Sequence, residues 1–218
     1  MIAIYNQVGL GDVLMLVLGP NPEREDIQKK GDVVRIADRE SGELSGFNLF
    51  NVEDKLGLAD ERGQVNLSAD QVAKINEMIK AAGFNDTLEV PKPKLTIGYV
   101  EEVSEHPDSD HLHVTKTRVD ADHTLQIVSG SPNMREGIKV VVAQPGAMMP
   151  SGEIIWDGEL RGVPSAGMIV SGRELHLPGA PDRPGALVLP DDFGEVGDAF
   201  DFEKAQNLYR DGLIDTNY

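Results

Sequence analysis

Ser129-Gly130-Ser131-Pro132-Asn133, Gly137-x-Lys139-Val140-Val141-Val142-Ala143-x-Pro145-Gly146, Pro150-x-Gly152 and Leu160-Arg161-Gly162-Val163-x-Ser165-x-Gly167-Met168-x-Val170-Ser171 follow one another through residues 129–171. Apolar, largely β-branched runs alternate here with Gly and Pro, the composition of short strands divided by tight turns. Outward from this stretch the same pattern gives strands at 95–103, 112–119, 125–128 and 138–143, with a last group inside 154–170. Five short strands in about 85 residues predict an all-β domain, a five-stranded Greek-key barrel of the OB type. From Pro178 onward, Pro181, Pro184 and Pro190 stand among many acids, with one further strand at Leu187-Val188-Leu189. This tail is expected to wrap over the barrel, with about its last ten residues frayed.

Upstream the pattern is mixed. Strands are expected at 2–6, 13–18, 33–37 and 44–51, separated by Gly9-Leu10-Gly11, Gly19-Pro20-Asn21-Pro22 and Ser41-Gly42. Ser68-Ala69-Asp70-Gln71 has the spacing of a capping box, and Val72, Ile75, Met78, Ile79 and Ala82 fall on one helical face before Gly83. The prediction is an α+β domain over 1–90, its helix packed on its sheet. Val90-Pro91-Lys92-Pro93-Lys94 breaks both periods, and the boundary with a second domain, 91–218, is placed there.

The 218 residues contain no cysteine, which removes disulfides, thiolate metal sites and cysteine nucleophiles together. No apolar run approaches the ~18 residues of a membrane span. Met1 leads straight into Ile2-Ala3-Ile4-Tyr5-Asn6 without the features of an export signal, so the expected location is cytoplasmic. The net charge of −17 argues against polynucleotide binding, although 91–178, with 8 basic and 12 acidic side chains, is the least acidic part. Gly9-x-Gly11 lacks the third glycine of a dinucleotide loop, no phosphate-binding loop is present, and no serine sits in a nucleophile elbow. His106-Pro107-Asp108-Ser109-Asp110-His111-Leu112-His113 combines imidazoles with carboxylates and admits a divalent metal; it reads equally as a turn leading into a strand. The residues therefore point to a protein that is not an enzyme and needs no cofactor, with a metal-dependent enzyme at His106–His113 as a remote alternative.

Read together, the spaced motifs of 129–171, preceded by His106-Pro107-x-x-Asp110-x-Leu112 and Gln126-Ile127-Val128, resemble the tRNA-binding domain near the N-terminus of the bacterial phenylalanyl-tRNA synthetase β chain. They also resemble the endothelial-monocyte-activating-polypeptide module. With the upstream domain, including Gly46-Phe47-Asn48-Leu49-Phe50-Asn51, the whole chain resembles the YtpR family of bacterial tRNA-binding proteins. The resemblance implies an OB fold that binds tRNA without chemistry, by shape and phosphate backbone. Its RNA-facing positions would be Asn133, Ser165, Met168 and Ser171, with Arg161, Lys139, Lys116 and Arg173 as phosphate partners. Purely structural assignments compete: core for Met168, a turn for Asn133, an internal ion pair to Asp110 or Glu159 for Arg161. His111 stands where relatives carry lysine or arginine, so binding is expected to be weak and salt-sensitive. Partners would be tRNA, components of translation or aminoacylation, and a second copy in a homodimer. An acidic OB domain also admits a protein-interaction or chaperone-like role without RNA.

Overall fold

The computed structural model describes residues 1–218, which form two compact units, Met1–Lys92 and Pro93–Tyr218. The first contains β1 (Ile2–Asn6), α1 (Gln7–Leu10), β2 (Val13–Val17), β3 (Glu25–Lys30), β4 (Val33–Asp38), β5 (Leu44–Phe50), α2 (Glu53–Leu56), β6 (Arg62–Gln64) and α3 (Ala69–Ala81). Its six strands form one antiparallel sheet in the order β3-β4-β5-β2-β1-β6. The central strands carry the expected alternation and bury Tyr5, Leu14, Phe47 and Leu49 against Val72, Ile75 and Ile79 of α3. At the start of that helix the capping box is present: Gln71 N–H donates to Ser68 Oγ (3.2 Å), and Ser68 N–H donates to Gln71 Oε1 (2.9 Å). Asp12 fastens α2 to the sheet, its Oδ1 accepting from the amides of Val52 (3.0 Å) and Glu53 (2.9 Å).

β3 and β6 were not expected from the sequence. Both are edge strands with mostly exposed, polar side chains, so neither has the buried face that would produce alternation.

The second unit contains β7 (Leu95–Glu105), β8 (His113–Asp120), β9 (His123–Ser129), β10 (Lys139–Ala143), β11 (Ala147–Met148), β12 (Ile154–Ile155), β13 (Asp157–Leu160), β14 (Val163–Ala166), β15 (Met168–Ile169), β16 (Val188–Leu189) and α4 (Phe202–Ala205). Five strands pair in the order β15-β10-β7-β8-β9, with β16 also on β10, while β11-β12 and β13-β14 are separate hairpins. The backbone ladders leave this sheet open, so strand pairing alone does not close the five-stranded barrel expected from the sequence. At the gap, Ser165 Oγ of β14 accepts from Val128 N–H of β9 (3.0 Å), and Gln126 Nε2 of β9 donates to Pro164 O of β14 (2.8 Å). Side chains thus bridge where strand pairing does not.

β10 is apolar along Val140, Val141, Val142 and Ala143, all fully buried, because both of its faces are covered. Val140 and Val142 join Val100, Ile127 and Ile169 on one face. Val141 joins Ile97, Leu187, Phe193 and Phe200 on the other, where the tail supplies Leu208 and Ile214. The tail therefore wraps over this sheet as expected, and its last ten residues are not wholly frayed, since Ile214 is buried in the core beside exposed Leu213. No helix is long and apolar enough to cross a membrane.

Replacing Ser68 with Ala removes one half of the capping box and is expected to lower the stability of the first unit by about 1 kcal/mol, read as an earlier urea midpoint for far-UV helix signal.

Candidate nucleic-acid interface

A cleft of about 450 Å³ opens in the second unit. It is lined by the end of β9 and the turn after it, Val128 to Ser131, and by Trp156, between β12 and β13, with Met168 and Arg173. Ser165 and Ser171 also line it. The structure thus brings together Ser165, Met168, Ser171 and Arg173. Gly167 (φ 91°) turns the chain between β14 and β15, and a Cβ there would collide with the Ala143 carbonyl oxygen, so only glycine lets Met168 pair beside Ala143.

Ser165 and Ser171 are nearly buried and already partnered. Ser165 forms the seam to Val128. Ser171 Oγ donates to Glu174 Oε2 (2.8 Å), which also accepts from Ser171 N–H (2.7 Å) and holds the turn after Val170. Met168 is half-buried and presents its side to the cleft. The Arg173 guanidinium is half-exposed and meets Asp182 Oδ1 at 3.1 Å, where the carboxylate is almost wholly in solvent. Such a pair contributes little and exchanges readily.

The remaining four expected positions lie outside the cleft. Asn133 is buried, its Nδ2 donating to Ala186 O (2.9 Å) and its Oδ1 accepting from Ala186 N–H (2.8 Å). It ties the Ser131-Pro132 turn to the segment leading into β16. Lys139 Nζ donates to the carbonyls of Asp191 and Gly194 (2.7 Å to the latter), so its charge is spent on fixing the tail. Lys116 Nζ pairs with Glu102 at 2.7 Å on an exposed part of β7 and β8. Arg161 sits at the tip of the β13-β14 hairpin with φ 48°, ahead of Gly162 at φ 79°, and its Nη1 donates to Asp108 O (3.0 Å). Neither Asp110 nor Glu159 forms an ion pair with it.

The His106 segment braces that same hairpin. His106 is buried; its Nε2–H donates to Leu160 O (3.0 Å) while its Nδ1 accepts from Asp108 N–H (3.1 Å), which fixes the neutral tautomer and uses both ring nitrogens. His111 lies against Asp110 (3.0 Å) in solvent, and its imidazole holds the Asp110 carboxyl below the usual carboxylate range. No three His, Asp or Glu side chains converge as a metal would require.

Trp156 escaped the sequence reading. It is the only tryptophan, and it follows Ile154-Ile155, so its run reads as buried strand, whereas its side chain is only part-buried at the cleft.

Residues 95–199 match a family described as "Putative tRNA binding domain", and 20–91 match a "Domain of unknown function (DUF4479)". Over 203 residues, 92% of this chain and 99% of the relative, the sequence is 49% identical to "Putative tRNA-binding protein YtpR" of Bacillus subtilis (strain 168). The chain belongs to the YtpR family. A phenylalanine–tRNA ligase beta subunit, that of Ralstonia nicotianae, is 40% identical over 129 residues, which is 55% of this chain but 16% of that subunit. Among solved structures, the C-terminal domain of Plasmodium vivax p43 is similar at 26% identity over 53% of this chain and 75% of that one, with a TM-score of 0.35. In this YtpR-family chain every residue of the cleft falls inside the stretch that matches the tRNA-binding domain family.

Asn133→Ala would leave both Ala186 backbone groups unpaired in the core. The expected outcome is a loss of about 2–3 kcal/mol of stability in the second unit, measured by denaturant unfolding.

Proposed function

We propose that this chain binds tRNA without transforming it, and that the cleft beside β9 and β15 is the centre of the binding surface. The observation that carries this reading is the 49% identity, along nearly its whole length, to a relative named as a tRNA-binding protein. The match of 95–199 to a tRNA-binding domain family supports it for the unit that holds the cleft. We read that unit as an OB-type barrel whose last seam is closed by Ser165 and Gln126 in place of a ladder.

The contacts follow from what each side chain has left to offer. Trp156 and Met168 supply flat and polarisable surfaces on which a base or ribose can rest; stacking of this kind contributes about 1–3 kcal/mol per base. Arg173 can leave Asp182 for a phosphate at little cost. Ser165 and Ser171 shape the wall, and the turn at Gly130-Ser131 brings backbone close to the ligand. Lys116 and Arg161, both exposed, form an outer rim for phosphate, while Asn133 and Lys139 serve the scaffold. Recognition is by shape and backbone, as expected for folded RNA. With tRNA as its partner, the chain would work in the cytoplasm beside the machinery of aminoacylation and translation.

The surplus of acids sets the affinity. Long-range attraction is absent at −17, so binding depends on a few close contacts. Three neutralised phosphates, at Arg173, Lys116 and Arg161, predict about a twenty- to fortyfold loss of affinity between ~50 and ~200 mM salt. Gel-shift titration with bulk tRNA is expected to give a micromolar complex in low salt that weakens by that amount. Trp156→Ala and Arg173→Ala should each weaken it by about five- to twentyfold, and Lys55→Met, in the first unit, should leave it unchanged. No complex at micromolar protein in low salt would defeat the proposal. Ribonuclease-resistant capture of polypeptides in place of tRNA would favour a protein-interaction role.

A further inference from the structure

β3 is the outermost strand of the first unit, pairs only with β4, and is exposed along its length apart from half-buried Asp26. The ladder's phase is fixed at one end by the bond from Arg39 N–H to Arg24 O (2.8 Å), and at the other by the tight turn joining Lys30 to Val33. Alternation then directs the backbone groups of Arg24, Asp26, Gln28 and Lys30 to β4, and those of Glu25, Ile27 and Lys29 away from it. Ile27, in the middle of this free edge, is 58% exposed.

Free edges are usually protected by like charges, which repel a second strand. This one carries a different pattern. Glu25-Asp26-Ile27-Gln28-Lys29-Lys30 is acidic in its first half and basic in its second. An antiparallel copy of the same strand, related by a two-fold axis normal to the sheet, must place opposing side chains on the same face. The register centred on Ile27 satisfies this: Ile27 faces Ile27, Glu25 faces Lys29, and Asp26 faces Gln28. The outward-pointing residues are then the ones that meet, so Glu25, Ile27 and Lys29 can each exchange backbone hydrogen bonds with the second copy. Lys29 is exposed, its Nζ 5.7 Å from the Phe50 ring centre, and its charge remains free to reach across. Lys30, at the end of the strand, already donates to Gly83 O (2.8 Å).

We propose that β3 is a homodimerisation edge, pairing with β3 of a second copy of this chain so that the two sheets become continuous about Ile27. A single pair of strand edges is a small interface, and a reversible dimer follows.

Sedimentation of the full chain, free of RNA, tests this. The mass is expected to rise from 23.7 kDa toward twice that value as concentration increases through about 1–100 µM, the range in which weak interfaces assemble. Lys29→Glu puts a carboxylate opposite Glu25 and should weaken association by at least about tenfold. Ile27→Pro removes only an outward N–H, which an edge strand tolerates, and should do the same. Combining Glu25→Lys with Lys29→Glu restores opposite charges across the axis and should return association to within about threefold of the starting value. A chain that stays at 23.7 kDa throughout, a dimer indifferent to Lys29→Glu and Ile27→Pro, or a double exchange that restores nothing would each overturn the proposal. The tRNA titration is read on the second unit and stands apart from all three.

Discussion

The amide of Val128 lies where β9 has run out of strand partners, and the Ser165 hydroxyl accepts its hydrogen bond. A buried amide left without an acceptor costs about 1–3 kcal/mol, a sizeable fraction of the ~5–15 kcal/mol by which small domains are stable. This one bond therefore constrains where β14 can go. With Gln126 reaching Pro164 beside it, the seam brings the β13-β14 hairpin against β9, and Gly167 then returns the chain to β10. The turn at Ser131 and Met168 line one cleft on chain that the seam and Gly167 join. His106 and Arg161 secure the far end of the same hairpin, so it is tied at base and tip.

This arrangement divides the motif residues by size. The short polar side chains, Asn133, Ser165 and Ser171, can satisfy a backbone group without crossing any distance, and the fold uses them for that purpose. The longer or softer ones, Met168 and Arg173, reach past the backbone and remain available at the cleft. A spaced motif of this kind thus records the geometry of the fold around the cleft as much as the side chains left available in it. Lys139 departs from that division: expected as a phosphate partner, it is committed to carbonyls of the tail because it emerges next to β16 and the chain that follows.

Much of the architecture was readable from local chemistry. The alternation of β1, β2, β4 and β5 and the Ser68–Gln71 capping box are set by residues within a few positions of one another, and such signals survive in a sequence. β3 and β6 have no buried face and so leave no alternation. The openness of the second sheet was not readable either, since strand count cannot distinguish a ladder from a side-chain bridge. That the tail wraps over the sheet was readable, but the anchoring of its end by Ile214 was not, because that residue acquires meaning only against core residues distant in sequence, such as Val141 and Ile97. Of the candidate site, the sequence supplied Met168, Arg173 and the two serines of the wall. It missed Trp156, whose neighbours are core residues while its own ring stands at the edge of the cleft.

Trp156 is also the chain's single indole, and the first unit has none. Its ultraviolet emission consequently belongs to the second unit alone, at the cleft itself. The protein carries a native optical reporter there: a polynucleotide seated in the cleft as proposed would alter the polarity around one chromophore, and the first unit, whose aromatic residues are Tyr and Phe, adds no indole of its own to that signal.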